Sequence, residues 1–167
     1  MAEIAVRAID ASAWRTMRDV RLAALRDAPQ AFGSSYQQEV GLSREDWLAR
    51  LARGANFLAY AAELGPAPAG LVGGFVPQPG MAELVSMWVH PQARGLGVGR
   101  ALVTAVVRWA AAEGHRDVHL WVTETNEPAR RLYERCGFTL TGERQPLPSH
   151  PDQAEVGMRY QMSMLYQ

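Results

Sequence analysis

The segment QARGLGVGRAL, residues 92–102, sets Gly95, Gly97 and Gly99 at alternate positions between Arg94 and Arg100. Glycines of this kind bring backbone N–H groups close to a ligand, because no Cβ stands in the way. The segment follows an apolar strand pattern, ELVSMWV at residues 83–89, and runs into a helix pattern at residues 101–114. Its donors therefore arrive at a helix N-terminus, where unpaired N–H groups and the macrodipole favour negative charge. The chemistry indicated is the cradling of a phosphate or pyrophosphate. A P-loop needs a lysine to reach the terminal phosphates, and this chain has none. A dinucleotide turn needs GxGxxG and then an acidic ribose ligand after a second strand. Here position 100 is arginine, and Glu113 closes the same helix.

At 167 residues the chain reads as one domain, 1–167, with room for a real core. Seventeen basic residues balance seventeen acidic ones, so bulk charge points to neither nucleic acid nor an anionic membrane. The N-terminus lacks the basic and apolar regions of a signal peptide. The longest uncharged stretch, residues 64–82, is broken by Pro66, Pro68, Pro77 and Pro79, so it is turn and strand, not a membrane helix. One cysteine, Cys136, excludes an internal disulfide framework. A cytoplasmic monomer or homodimer is expected. His90, His115, His119 and His150 show no zinc-ligand spacing, and no metal is expected.

The elements that must position the cradle read as follows. Residues 3–8 form a strand, and Asp10 or Ser12 caps a helix to about Asp27 that buries Trp14, Met17, Leu22 and Leu25. A loop spans 28–42. Ser43 and Asp46 form a capping box for a short helix to Arg53, ended by Gly54. Strands are expected at 56–64, 69–76, 83–89 and 117–123, with helices at 98–113 and 126–136. Residues 138–142 and 155–166 complete a mixed sheet, joined by a proline-rich loop at 143–154. In the last strand Val156, Met158, Tyr160, Met162 and Met164 alternate as a core stripe.

With these elements in place, VHPQARGLGVGRAL fits the Q/R-x-x-G-x-G/A signature at Gln92, Gly95 and Gly97, and NEPARRLYERCGF at 126–138 matches a second, Asn…Ala-x-x-Leu-Tyr-x-x-x-Gly-Phe. The chain resembles the GCN5-related N-acetyltransferases (GNAT superfamily), which use acetyl-CoA. The resemblance covers nearly the whole chain, apart from the loops at 28–42 and 143–155. It implies an α+β fold with a mixed, mostly antiparallel sheet of about seven strands flanked by about four helices. It also implies that backbone donors of Arg94, Gly95, Leu96, Gly97, Val98 and Gly99, with the N-terminus of the Val98 helix, hold the CoA pyrophosphate, beside the fixed charge of Arg94 and Arg100. A charge-assisted hydrogen bond contributes about 1.5–3 kcal/mol, so three or four would anchor a large cofactor.

Acetyl transfer to an amine requires a base for the amine, polarisation of the thioester carbonyl and an acid for the departing thiolate. For the acid, Tyr133 lies seven residues beyond Asn126 on one helix face, with Arg130 between them. Its phenol suits protonation of an alkyl thiolate. The resemblance points Tyr133 at the CoA sulfur and gives Asn126 to the pantetheine arm. For the base, Glu83 lies in AELVSMWV, which resembles the segment carrying the catalytic glutamate in the histone-acetylating branch, while Glu124, at the end of the next strand, and water relays are competitors. A backbone N–H from the strand segment Met87, Trp88, Val89 is implied to polarise the carbonyl. Cys136 sits in a last helical turn that disfavours a thiolate, so direct transfer in a ternary complex is expected. The resemblance implies an acceptor walled by Phe32, Tyr36, Glu39 and Trp47 on one side and by Glu143, Arg144 and His150 on the other. Glu39 and Glu143 would attract an amine cation, and Arg144 would hold a carboxylate. A small primary amine leads as acceptor. The alternatives are a protein N-terminus or side chain, or a non-catalytic acyl-CoA sensor. A closed pocket would favour a metabolite and an open acidic groove a peptide.

Overall fold

The computed structural model describes residues 3–162. Seven strands form one sheet in the order β1-β2-β3-β4-β5-β7-β6: β1 (Ile4–Ala8), β2 (Ala55–Ala61), β3 (Gly70–Gln78), β4 (Met81–Val89), β5 (Asp117–Thr123), β6 (Thr139–Leu147) and β7 (His150–Gln161). All neighbours are antiparallel except β4 and β5. Five helices flank the sheet: α1 (Trp14–Asp27), α2 (Tyr36–Glu39), α3 (Arg44–Leu51), α4 (Val98–Ala112) and α5 (Glu127–Arg135). Residues 164 and 166, assigned to the last strand from the sequence, lie outside the described residues.

Strand alternation divides the core in two. On one face Ala82, Leu84, Val118, Leu120, Val122 and Met158 pack against Val98, Leu102, Val103 and Val106 of α4. On the other face Leu58, Leu71 and Trp88 pack against Val20, Ala24 and Leu25 of α1. Met17 joins α1 to Trp47 and Leu51 of α3. Of the candidates for α1, Met17 and Leu25 are buried, whereas Trp14 and Leu22 are only half-buried, and Val20 and Ala24 complete the stripe. Asp10 is the cap residue: its carboxylate accepts from Ser12 N–H and starts a short 3-10 turn leading into α1. The Ser43–Asp46 capping box forms with both reciprocal bonds, at 3.1 and 2.9 Å.

Two sequence expectations are corrected. The expected loop at 28–42 contains the single helical turn α2, capped by Ser35. The expected loop at 143–154 is instead the body of the β6–β7 hairpin, turning at Pro148 and Ser149. Prolines suggested a loop because they donate no ladder bond. Pro146 lies on the edge strand β6, and β7 pairs with β5 only from Glu155 onward. Neither Pro146 nor Pro151 therefore occupies a position flanked by ladders on both sides.

The feature that matters for function lies between β4 and β5. These parallel strands pair only through Met81, Ala82 and Glu83 opposite Asp117, Val118 and His119. Beyond Glu83 they part, while β4 stays paired to β3 and β5 to β7. The parting carries β4 over a bulge, for Leu71 lies opposite Trp88 but Gly73 opposite Val85. At the bulge Ser86 has φ 61°, the only positive φ of a non-glycine among the described residues.

Close packing behind β4 requires small residues in β3. A Cβ on Gly70 would lie 2.7 Å from the Trp88 carbonyl oxygen and 2.9 Å from Leu102 Cδ1. Gly70→Ala should destabilise by about 1–3 kcal/mol through overpacking, lowering Tm by roughly 2–10 °C for a chain of this size. Thermal unfolding followed by circular dichroism checks this, and an unchanged Tm would show that β3 and β4 separate freely.

Candidate active site

The glycine run divides into two roles. Gly95 and Gly97 adopt φ values of 82° and 94°, conformations that favour glycine. Space opens above Gly95, with no other atom within 4 Å of where a Cβ would sit, while Gly97 forms the N-cap of α4. No side chain caps α4, and its first turn carries no acidic residue. The first bond into the helix runs from Ala101 N–H to the Gly97 carbonyl, at 3.1 Å. The N–H groups of Val98, Gly99 and Arg100 precede that bond and face outward at the positive end of a fifteen-residue helix. Gly99 has a second function: its missing side chain admits Leu132 of α5, whose Cδ2 would stand 2.8 Å from an added Cβ. The glycine that looked like a third phosphate contact is therefore also a helix-packing residue.

The Arg94 side chain is engaged within the protein. Its Nη2 donates to Asp27 at 2.6 Å and its Nε to the Val89 carbonyl at 3.2 Å. Asp27 also accepts from Trp88 Nε1 at 3.0 Å. The Arg94 side chain thus fastens the glycine turn to the end of α1, while the Arg100 side chain is exposed. Gln92 is exposed, and its N–H donates to His90 Nδ1 at 3.0 Å. Leu96 packs against the α4 core.

Helix α4 begins where β4 ends, so its N-terminus faces the mouth of the opening between β4 and β5. Met87 and Val89 turn toward the α4 core, and Trp88 is buried under α1. Across the opening, Asn126 caps α5 by accepting from Ala129 N–H at 3.3 Å, which leaves its NH₂ group for other partners. Arg130 donates to the Glu124 carbonyl at 3.1 Å and so ties α5 to the end of β5. Tyr133 is buried, with its ring 5.9 Å from that of Phe138. Burial, reinforced by Cys136, raises its pKa and keeps the phenol protonated. Burial likewise raises the Cys136 thiol, against smaller opposing effects of Arg100 and Arg135.

The opposite face of the sheet carries carboxylates. Glu83 ends the β4–β5 pairing, opposite His119, and is half-buried. Burial, and then the charge of Glu155, raises its pKa above the ordinary glutamate value. Glu155 lies opposite Thr123 on that same face. Glu143 reaches the space above Gly157, its Oε1 only 3.6 Å from where a Cβ would sit. Glu155 was missed in the sequence, although strand alternation signals it. It precedes the core stripe of Val156 and Met158 by one position and so falls on the other face.

Three acceptor-side expectations are corrected. Glu39 is 1% exposed, and its carboxylate is occupied by Arg21 (3.0 Å to each oxygen) and Arg50 (2.7 Å). Burial alone would raise its pKa, yet Arg21, Ser34 and Arg50 hold it below its ordinary value. A carboxylate so neutralised has no field left for a substrate cation. Arg144 is paired with Glu124 at 2.7 Å, on the face shared with Val156 rather than with Glu155. The same pairing occupies Glu124, the competing base. Trp47 is fully buried between α1 and α3 and lines nothing.

Residues 30–33 form a strap over the opening. Thr123 Oγ1 donates to the Gln30 carbonyl at 2.7 Å, and Ser149 Oγ donates to the Phe32 carbonyl. Gly33 packs beside Pro148, and His150 Nδ1 lies 3.0 Å from Ser149 Oγ. Phe32 is buried and Tyr36 hydrogen-bonds Arg26. The acceptor side is thus closed at one end by the hairpin and the strap. A separate groove of roughly 870 Å³ runs outside α4 against β1 and β2, lined by Val6, Phe57, Arg108 and Trp109. It meets the cradle only at Gly97 and Arg100 and none of the residues of the β4–β5 opening. Among the described residues, no three His, Cys, Asp or Glu side chains converge as a metal site, and no helix is long and apolar enough to cross a membrane.

Comparison with known proteins agrees with this geometry. A mycothiol acetyltransferase of Arthrobacter sp. is 31% identical over 125 residues, covering 67% of this chain and 37% of that protein. The chain spans between a fifth and a half of the curated relatives it matches. An acetyltransferase of Streptococcus pneumoniae superposes with a TM-score of 0.79 at 18% identity, over 96% of this chain and 100% of that one. The yncA protein of Salmonella typhimurium, solved with its cofactor acetyl-CoA, gives 0.76 at 17% identity, over 96% and 95%. The sequence pattern of the acetyltransferase (GNAT) family matches residues 17–138. With two motifs, the parted sheet and the uncapped α4 terminus in agreement, this chain belongs to the GNAT acetyltransferase family.

Proposed function

We propose that this protein moves an acetyl group from acetyl-CoA to the primary amine of a small molecule, by direct attack in a ternary complex. The observation that carries the reading is the opening beyond Glu83, with an anion-binding helix end at its mouth and half-buried carboxylates on its far face. The residues present suit acetyl-CoA. Backbone donors from Gly95 to Arg100 would hold its pyrophosphate, and the free edge of β4 would lie along its thioester.

Glu83 is the base of the proposed reaction. It takes a proton from the bound ammonium, and the free amine attacks the carbonyl carbon. A backbone N–H of the Met87–Val89 segment that points into the opening stabilises the oxyanion, an interaction of about 2.7–4 kcal/mol in well-formed sites. As the tetrahedral centre collapses, the C–S bond breaks and Tyr133 gives its proton to the thiolate. A buried phenol whose pKa lies above its ordinary value arrives at this step protonated. Cys136 takes no part, because its raised pKa and its place at the negative end of α5 keep it a thiol.

Glu155 and Glu143 favour a cationic acceptor, and Phe32 and Tyr36 wall the approach. The strap held by Thr123 and Ser149 favours a metabolite over an extended peptide. The name of the mycothiol acetyltransferase relatives, a small-molecule reaction, supports the same choice.

Tyr133→Phe should lower kcat about 10²-fold, within the usual range for one acid–base group, with acetyl-CoA affinity nearly unchanged. Thiol release across a panel of amines measures this, and an unaltered rate would remove the acid. Glu83 is raised, so its base form is lost at a higher pH than for an ordinary carboxylate. Activity of the parent should therefore fall as pH drops through that raised value, and Glu83→Gln should lose both most of the rate and this acidic limb. A variant that keeps the limb would assign the base elsewhere.

A further inference from the structure

Arg21 is 8% exposed in the middle of α1, and no sequence signature marks it. Its Nε and Nη2 donate to the two oxygens of buried Glu39, each at 3.0 Å, and Arg50 adds a third bond to that carboxylate. The guanidinium also lies over the Phe32 ring, 4.8 Å from its centroid. Its remaining nitrogen, Nη1, donates to Ser86 Oγ at 3.1 Å. Ser86 is the residue with φ 61° at the bulge of β4, between the last residue paired to β5 and the free edge at Met87, Trp88 and Val89.

A left-handed residue that is not glycine persists where surrounding contacts over-determine it. Here the contact is a charged donor with no freedom to move, since two carboxylate bonds and an aromatic face fix its plane. Buried ion pairs contribute little net stability after desolvation, and holding one particular geometry is a role they can fill. The bulge decides which β4 N–H groups point into the opening, because one extra residue switches every position beyond it to the other side.

We infer that Arg21, fixed by Glu39, is a positioning residue: through Ser86 it holds the β4 bulge so that the free N–H groups beyond it face the thioester carbonyl. The inference rests on acetyl-CoA lying in the opening, and the test separates the two ideas.

The measurement is calorimetric titration of acetyl-CoA and of CoA into the parent and into S86G, S86N and R21M, with thermal unfolding of each. S86G keeps the backbone conformation and removes the tether. S86N also tolerates the left-handed region, and its amide oxygen offers Arg21 a replacement acceptor. The expected result is that S86G binds acetyl-CoA roughly fivefold to tenfold more weakly, as for one lost hydrogen bond. CoA affinity and Tm should stay unchanged, and S86N should restore acetyl-CoA binding. R21M should match S86G in ligand binding while lowering Tm, because it leaves buried Glu39 with Arg50 alone; if it fails to fold, the two Ser86 variants suffice. Equal losses for both ligands, or parent-like binding of both by S86G, would overturn the positioning role. A parent that binds neither ligand would instead overturn the placement of acetyl-CoA.

Discussion

Backbone N–H and C=O groups in a folded chain must find partners, and the sheet of this protein leaves a defined set of them unpaired. Strands β4 and β5 share three paired positions and then diverge. Their inner edges beyond Glu83 and His119 face each other without bonding. Elsewhere the sheet is continuous from β1 to β6. The parted edges are where an extended ligand arm adds hydrogen bonds at no expense to existing ones. Every other feature of the site is arranged around that gap. Helix α4 presents its uncapped end at the mouth, α5 supplies Tyr133 to one side, and the carboxylates lie behind.

Keeping the gap open requires that β4 be held from outside. Gly70 allows β3 to lie close against Trp88, and on the α1 face Arg94 joins the glycine turn to Asp27. On that same face the Arg21–Glu39–Arg50 cluster joins α1, α2 and α3 and reaches Ser86. The far wall is held by Thr123 and Ser149, which attach the strap to β5 and to the β6–β7 hairpin. These are polar ties made by segments far apart in the chain, and they border the opening on three sides.

Much of this was legible in the residues. The strand and helix order, the Ser43 capping box and the glycine turn followed from local rules, because caps and left-handed glycines act within a few residues. The paired motifs at 92–102 and 126–138 were legible as well, and they carried the family. Less was legible where burial decides charge. Glu39 and Glu155 both look like surface carboxylates in one dimension. Packing buries Glu39 against two arginines and leaves Glu155 facing Glu83. The β6–β7 hairpin was hidden by prolines, whose meaning depends on whether a strand lies at an edge.

The sequence by itself determined the chemistry of the donor end, because an anion cradle is built from consecutive residues: positive-φ glycines followed at once by a helix N-terminus. Tertiary structure alone decided the acceptor end. Whether Arg94 meets a phosphate or Asp27, whether Arg144 meets a substrate or Glu124, and whether Arg21 has any role at all depend on pairings across 18 to 67 positions of chain. Such pairings are fixed by which faces of the sheet the helices cover, and residue type carries no record of that.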